Sequence, residues 1–478
     1  MLTFSRSKTE PIGPIRTRHW LWAVVLVILA LAIVHAFRID HVSLYQINGE
    51  PVGFQTKTAE AFLDGRLDMG PAPAGLVDLA NQWDPVANRT YRYDHKLHDF
   101  SYFEGRIYSP FGPTPALLLH LPIRAVTGKL VSPEVATLSW TLGILVAAFA
   151  AYRILASRFA PHRPAWSELA GVAALGLAGP TIWILSIGRP YEESIVCGSF
   201  LLMTGIALLA KATNNLSPPS PFTLAVVGLL FGLAIGARPH LIGAGLLIGI
   251  SIIWLIRTKP LKWRLCISAI CIPYVAIVLL LLAYNYLRFG NPLEFGTSYQ
   301  MAGYDVANYP LYSLGNFIPN LSDYLFGGPR FEAAWPHVHL LENTWFDLPD
   351  KHRNEPVAGM LTTFPVIALG LRCTPLAIRR AGHLRTHLSV TLGSLALLGA
   401  GIITAISVPF NSSTMRYTVD FIPIFGLIGL IAFMASIGGV SGVSHRPWLT
   451  RCWLALLAWS AAVGVLLSLT ACPGTGSC

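Results

Sequence analysis

The feature that most constrains this chain is the recurrence of uninterrupted apolar stretches of about 20 residues, the length a helix needs to cross a bilayer. In hydrocarbon every backbone N–H and C=O needs a partner within its own segment, so such stretches are expected as helices. Only 12% of the 478 residues are charged, against roughly a quarter in a soluble chain. The expected fold class is therefore an all-α polytopic membrane protein. Candidate spans are residues 20–37, 132–152, 167–187, 192–210, 222–237, 239–256, 265–287, 358–378, 388–408, 418–437 and 452–470. The first reads as a retained helix, because no small-residue cleavage site follows it.

Residues 113–127 decide the topology. They are apolar but short, and they contain His120, Pro122 and Arg124. If they cross there are twelve spans; if not, eleven. The tail carries Arg6, Lys8, Arg16 and Arg18, which places it in the cytoplasm. With eleven spans the later cytoplasmic segments carry Arg153, Arg158, Arg163, Lys211, Arg257, Lys259, Lys262, Arg264, Arg372, Arg379, Arg380, Arg385, Arg446 and Arg451. These segments hold 18 of the 34 basic residues and only 2 of the 24 acidic ones, Glu10 and Glu168. A twelfth span would turn the downstream clusters outward. Residues 113–127 are therefore expected to lie along the outer leaflet, in a fold of about eleven transmembrane helices.

The resulting division is a cytoplasmic tail over 1–19, a membrane module over 20–287 that includes an exterior loop at 38–131, a second exterior loop over 288–357, and membrane helices over 358–478. Both exterior loops are rich in Tyr, Phe, Trp, Pro and Asn. Tyr and Trp suit the headgroup zone and also stack on sugar rings. Residues 56–69, TKTAEAFLDGRLDM, read as a short amphipathic surface helix. The seven cysteines show no zinc spacing; Cys472 and Cys478 fall in the last exterior segment, where a disulfide could form.

Three constellations carry candidate chemistry. Residues 83–113 hold Asp84, Asp94, His95, His98, Asp99 and Glu104. A carboxylate against apolar surface keeps its charge less readily and makes a better base. Asp99, between a histidine and a Phe-Ser-Tyr-Phe run, is the first candidate; Asp84, in Trp-Asp-Pro, reads equally as a turn former. The second is SIGRPYEESIVCG, residues 186–198, where Pro190 suits a helix start and Glu192 and Glu193 fill the first turn. Those acids could complement the helix dipole, orient an acceptor or hold a cation. The third is a set of arginines at outer helix ends: Arg189, Arg238, Arg288 and Arg416. A guanidinium fork matches phosphate oxygens, whereas simple snorkelling to the headgroup plane is the plainer reading. No Walker loop, Rossmann glycine fingerprint, HExxH or GxSxG occurs, so nucleotide-driven chemistry has no support.

The order of these features resembles the GT-C superfamily of integral-membrane glycosyltransferases, which use polyprenyl-phosphate-linked sugars. A span is followed by a long exterior loop with an acid, a Pro-x-Pro-Ala-Leu-Leu segment at Pro113–Leu118, and acids at the next exterior turn. HDFSYFEGRIYSPFGPTPALLLHLP, GRPYEE, RFGNPLEFG and RYTVDFIP are also similar to stretches in a large group of bacterial membrane glycosyltransferase-like proteins. In that family the first-loop acid usually follows the first span closely; here Asp40 stands alone there, and the richer cluster comes about sixty residues later.

The resemblance implies transfer of a sugar from a polyprenyl-phosphate donor to a cell-envelope glycan, lipid or protein, at the exterior face of a bacterial plasma membrane. Its catalytic candidates are Asp99, Asp84, Glu192 and Glu193. Arg189, Arg238 and Arg416 are the candidates for the lipid phosphate, and His98, Tyr102 and Tyr108 for the sugar or acceptor. A divalent cation, Mg or Mn, is the candidate cofactor, with no ligands assigned; membrane lipids are expected partners and nucleic acid is not. A transporter or flippase of lipid-linked saccharides, or a non-catalytic envelope assembly protein, stays open as an alternative.

Overall fold

The computed structural model describes residues 45–46, 53–186, 190–213, 219–306, 313–333, 335, 337–340, 353–408, 412–444 and 446–470. The expected first span, Arg189, and Cys472 and Cys478 lie outside the described residues. Among the described residues six helices are long and apolar enough to cross a membrane: Pro133–Phe159, Pro190–Ala212, Pro239–Thr258, Trp263–Phe289, Gly382–Ser407 and Pro447–Leu469. Pro221–Ala237 and Ile422–Gly438 are apolar but shorter.

Local chemistry sets several helix starts. The Ser132 hydroxyl accepts the Val135 N–H before Pro133, and the Ser220 hydroxyl accepts the Thr223 N–H before Pro221. Each serine satisfies an orphan donor, and each proline sits where its missing N–H costs nothing. Two expected spans are interrupted. Residues 167–187 form Ser167–Gly176 and Pro180–Leu185. Residues 358–378 form Met360–Thr363 and Pro365–Arg372, followed by Thr374–Arg380. Prolines 180, 365 and 375 stand at the starts of the new pieces, where they cannot continue the preceding hydrogen-bond ladder.

Pro133–Phe159 packs along Pro190–Ala212, which packs along Pro221–Ala237, and that helix lies against Trp263–Phe289. One buried apolar core runs through these helices and on into the C-terminal ones. Ile272, Leu279, Leu280 and Leu287 of Trp263–Phe289 are exposed, a face suited to lipid.

Helix ends sort into two sets. At one end Arg158 donates to the Thr213 carbonyl (2.9 Å), the His162 N–H to the Gly438 carbonyl (3.0 Å) and the Ser441 N–H to the Arg380 carbonyl (3.1 Å). Glu168 is held there by Arg163 at 2.8 Å and Arg153 at 3.3 Å. These are residues that the charge pattern assigns to the cytoplasmic loops.

The other end carries the two segments that the charge pattern assigns to the exterior. Tyr45–Gln46 pairs antiparallel with Leu130–Val131, so the chain from 46 to 130 leaves and returns at one level. Between them Ala116–Thr127 forms a short apolar helix, about 18 Å long at 1.5 Å per residue, too short to span. Its first turn is wound wide as a π-helix over Ala116–His120, and Leu117, Leu118 and Val126 are exposed. Residues 113–127, expected along the outer leaflet, thus form a short apolar ledge.

The two exterior segments form one body. The surface helix expected over residues 56–69 is instead Phe54–Leu63, and more than half of it is buried, Phe54, Gln55, Thr56, Thr58, Ala59 and Ala61 included. Ser101–Phe103 and Arg106–Tyr108 make a hairpin whose turn residues, Glu104 and Gly105, both have positive φ, 46° and 75°, as a tight primed turn requires. Phe54, Leu76, Leu97, Phe100 and Ile107 pack with Met301 of the second segment. Trp83 donates to the Tyr299 carbonyl (2.9 Å), and Arg288 to the Ser109 carbonyl (2.8 Å). Gly112 seats this body on the bundle: a Cβ there would collide with the Gly236 carbonyl, and a Cβ at Gly236 with the Thr114 hydroxyl.

Candidate active site

Asp99 sits in the left-handed region, φ 63°, which costs a non-glycine residue roughly 1–2 kcal/mol. The second exterior segment fixes it there. The Asp99 N–H donates to the Met301 carbonyl (3.0 Å), the Met301 N–H to the Phe100 carbonyl (2.8 Å), and the Gln300 amide to the Asp99 carbonyl (3.1 Å). A backbone strained in this way and held by its surroundings is typical of functional sites.

The turn aims the carboxylate at the first turn of Pro190–Ala212. The Tyr191 hydroxyl donates to Asp99 Oδ2 at 2.7 Å, and His98 Nε2 lies 3.5 Å from the same oxygen. The Tyr191 ring is wedged against Phe54 and Phe111, with centroids 5.3 and 6.0 Å away. His98 stacks on Tyr93. Asp99 keeps a fifth of its side chain open to solvent.

Arg416, on the turn Met415–Asp420, lies within electrostatic reach of Tyr191 and Glu192 and 3.6 Å from Glu355. Burial opposes its charge, but Tyr417, Glu355 and Glu192 hold the guanidinium above the usual arginine range. Asp99 thus bonds the Tyr191 phenol directly, while Glu192 and Arg416 lie within its electrostatic reach. Glu192 is buried.

Glu193 faces elsewhere. Its carboxylate meets His120 Nε2 at 2.6 Å, and both side chains are all but sealed from solvent. Beside them Gln55 donates to the Ser194 hydroxyl (2.9 Å) and accepts the Ala116 N–H (3.2 Å). The second-loop acids thus divide: Glu192 goes to the Arg416 side and Glu193 to the ledge.

Arg238 interrupts two helices in extended backbone. Its guanidinium donates to Asp420 Oδ2 at 3.0 Å, and His240 Nε2 lies 3.0 Å from the same oxygen. Asp420 is wholly buried. Arg238 also lies over the Tyr417 ring, 4.6 Å from its centroid, with Arg416 at 5.5 Å from that ring. Two of the three arginines expected to meet the lipid phosphate, Arg238 and Arg416, are therefore neighbours of one tyrosine, and Arg238 is already matched to a carboxylate inside the protein. Arg288 is buried, bonded to Ser109 and Asn285, and serves the seat of the exterior body.

The remaining candidates are placed apart. The Asp84 carboxylate accepts the N–H groups of Val86 (2.8 Å) and Ala87 (3.3 Å), the turn-forming arrangement that Trp-Asp-Pro suggested. Tyr102 and Tyr108 are buried in the hairpin, against Trp83 and Phe289 respectively; burial pushes the Tyr108 phenol up. Among the described residues no three His, Cys, Asp or Glu side chains gather into a set that could hold a metal ion. A cavity of about 440 Å³ lies in the exterior body, lined by Lys57, Glu60, Arg66, His95 and Phe100 among others; Phe100 is the chain neighbour of Asp99.

Reading the sequence alone does not single out Tyr191, His120, Asp420 or Glu355 as site residues. Tyr191 stands inside GRPYEE and Asp420 inside RYTVDFIP, so both lie in stretches that already drew attention for other residues. His120 is noticed only as an argument against crossing. Glu355 carries no local signal.

No family profile matches the chain, and no curated protein sequence matches it. Solved structures do. The apo oligosaccharyltransferase of Archaeoglobus fulgidus aligns over 96% of this chain and 57% of its own, with a TM-score of 0.54 at 12% identity. The fold is GT-C. AglB of the same organism, in complex with an inhibitory peptide and a dolichol-phosphate, aligns over 96% and 56% at 10% identity and a TM-score of 0.47. ArnT from Cupriavidus metallidurans, bound to undecaprenyl phosphate, aligns over 92% and 63% at 13% identity and a TM-score of 0.42. This chain spans less than two thirds of the length of each. A shared fold fixes the frame, while activity has to be argued from the site.

Proposed function

We propose that this protein is a membrane glycosyltransferase that moves a sugar from a polyprenyl-phosphate donor to a cell-envelope glycan, lipid or protein at the exterior face of a bacterial plasma membrane. The observation that carries this reading is the Asp99 carboxylate, held in a strained turn and bonded to Tyr191, with Arg416 within electrostatic reach of the same phenol. A base and a cation placed together at the outer end of a bundle fit displacement at a sugar carbon whose leaving group is a lipid phosphate.

In this reading the acceptor hydroxyl gives its proton to Asp99 as its oxygen bonds to the anomeric carbon. The bond from that carbon to the phosphate oxygen breaks, and its electron pair leaves on the polyprenyl phosphate. The sugar inverts. Arg416 offsets the charge growing on the phosphate. Arg238, held by Asp420, supports Tyr417 and Arg416 from below, and His98 borders the acceptor side of Asp99. Among the described residues no three His, Cys, Asp or Glu side chains gather around a metal-sized space.

The buried Arg238–Asp420–His240 cluster between interrupted helices favours a second reading. Transporters often place charges at such breaks, so a flippase of lipid-linked saccharides is the competitor. Purified protein in proteoliposomes, supplied with radiolabelled polyprenyl-phosphate hexoses and pentoses and an envelope lipid extract, separates the two. Glycosyl transfer releases free polyprenyl phosphate as label enters the acceptor. Label that crosses the bilayer still bound to its lipid carrier would make the protein a transporter.

A further inference from the structure

Tyr191 is outside the acids and arginines assigned above, yet it is the group closest to the proposed base. Its hydroxyl donates to Asp99 Oδ2 at 2.7 Å, with His98 Nε2 3.5 Å from that oxygen. Asp99 Oδ1 has no protein partner among the described residues. The ring cannot swing freely, since Phe54 and Phe111 flank it, and its backbone lies in the first turn of a buried helix. The Asp99 backbone is equally fixed from its own side by the bonds of Asp99 and Phe100 to Met301.

We propose that Tyr191 is a positioning residue: its hydroxyl engages Oδ2 of Asp99 and so dedicates Oδ1 to the acceptor hydroxyl. This deepens the glycosyltransferase reading and rests on it for the identity of the acceptor. The physical reason is geometric. A carboxylate on a single χ2 rotor presents either oxygen about equally, because terminal sp³–sp² torsions are broad. A donor fixed on one oxygen removes that freedom, and a general base must lie within hydrogen-bond reach of the proton it takes. Tyr191 also lies within electrostatic reach of Arg416 and Glu192.

The first test needs no substrate. Infrared spectra of wild type minus Asp99→Asn, recorded in heavy water near neutral pH, isolate the Asp99 carboxylate band. One-sided hydrogen bonding separates its symmetric and antisymmetric stretches. In Tyr191→Phe, which keeps the ring packing, the same difference should shift to the position of a solvated aspartate. Phe111→Leu loosens the ring seat but keeps the hydroxyl, and should leave the band in place. An unmoved band in Tyr191→Phe, or an equal shift in Phe111→Leu, overturns the inference.

The second test uses the donors that wild type turns over. Tyr191→Phe should lower kcat by about a hundredfold, as expected for a misplaced reacting group, with KM for the donor unchanged. Loss expressed only in KM would also overturn it. Wild-type turnover by Asp99→Asn removes the base assignment and this inference together. An inactive Asp99→Asn beside a fully active Tyr191→Phe removes the inference alone.

Discussion

His120 Nε2 lies 2.6 Å from the Glu193 carboxylate, with both side chains buried, and this pair joins the short Ala116–Thr127 ledge to the helix that also presents Tyr191 and Glu192. The first turn of the ledge is a π-helix ending at His120. Such widened turns often occur at functional sites. Here it brings a ring nitrogen to a carboxylate 73 positions away.

Removing one member of that pair leaves the other buried and unmatched. His120→Leu or Glu193→Leu should each destabilise the detergent-solubilised protein by about 3–5 kcal/mol, and the double replacement by clearly less than the sum. A double-mutant cycle read by equilibrium unfolding checks this. Additive losses would show that the two groups do not interact.

Asp420 is matched to Arg238 and near His240 with no exposure. Asp420→Asn leaves the arginine buried without its counter-charge, at a cost of about 3–5 kcal/mol. Unfolding of Asp420→Asn, Arg238→Met and the double variant measures it. The double variant should be more stable than Asp420→Asn. An Asp420→Asn protein as stable as wild type would mean that the cluster is solvated.

Gly112 and Gly236 let the exterior body touch the bundle backbone. Gly112→Ala must push these segments apart, costing about 1–3 kcal/mol as overpacking does. A control at Gly249, where an added Cβ meets nothing within contact range, should not loosen that seat. Protease sensitivity of the exterior body, compared between the two variants, reports the effect.

Tyr108 adds a pH dependence. Burial raises its phenol above 10.0, so the folded state favours the neutral form. The sign follows: its contribution is fully present below 10.0, and it is lost as pH rises through the higher folded value. Alkaline unfolding followed by tryptophan fluorescence should therefore begin at higher pH in Tyr108→Phe than in wild type.

The long helices are legible because hydropathy alone demands them, and the charge pattern correctly groups the turns around Arg158, Lys211 and Arg380 at one end. The interruptions near Gly179 and Phe364 are less legible: apolar character runs straight through them, and only Pro180 and Pro365 mark the break. The hairpin at Glu104-Gly105 has a readable signature, a two-residue turn between Ser-Tyr-Phe and Arg-Ile-Tyr. The site itself is mostly not readable. Asp99 draws notice for its surroundings, but its partners Tyr191, Gln300 and Met301 come from 92 to 202 positions away. No local pattern encodes that convergence. Arg238 stands out as a charge at a membrane edge, whereas its match to Asp420 depends on how two interrupted helices pack.

The central claim is that Asp99 is the base for glycosyl transfer, and the most direct measurement is turnover of radiolabelled polyprenyl-phosphate sugar by Asp99→Asn beside wild type, at equal amounts of folded protein. The expected result is a loss of at least about a hundredfold in transfer with the fold intact. Equal turnover by the two proteins would contradict the account.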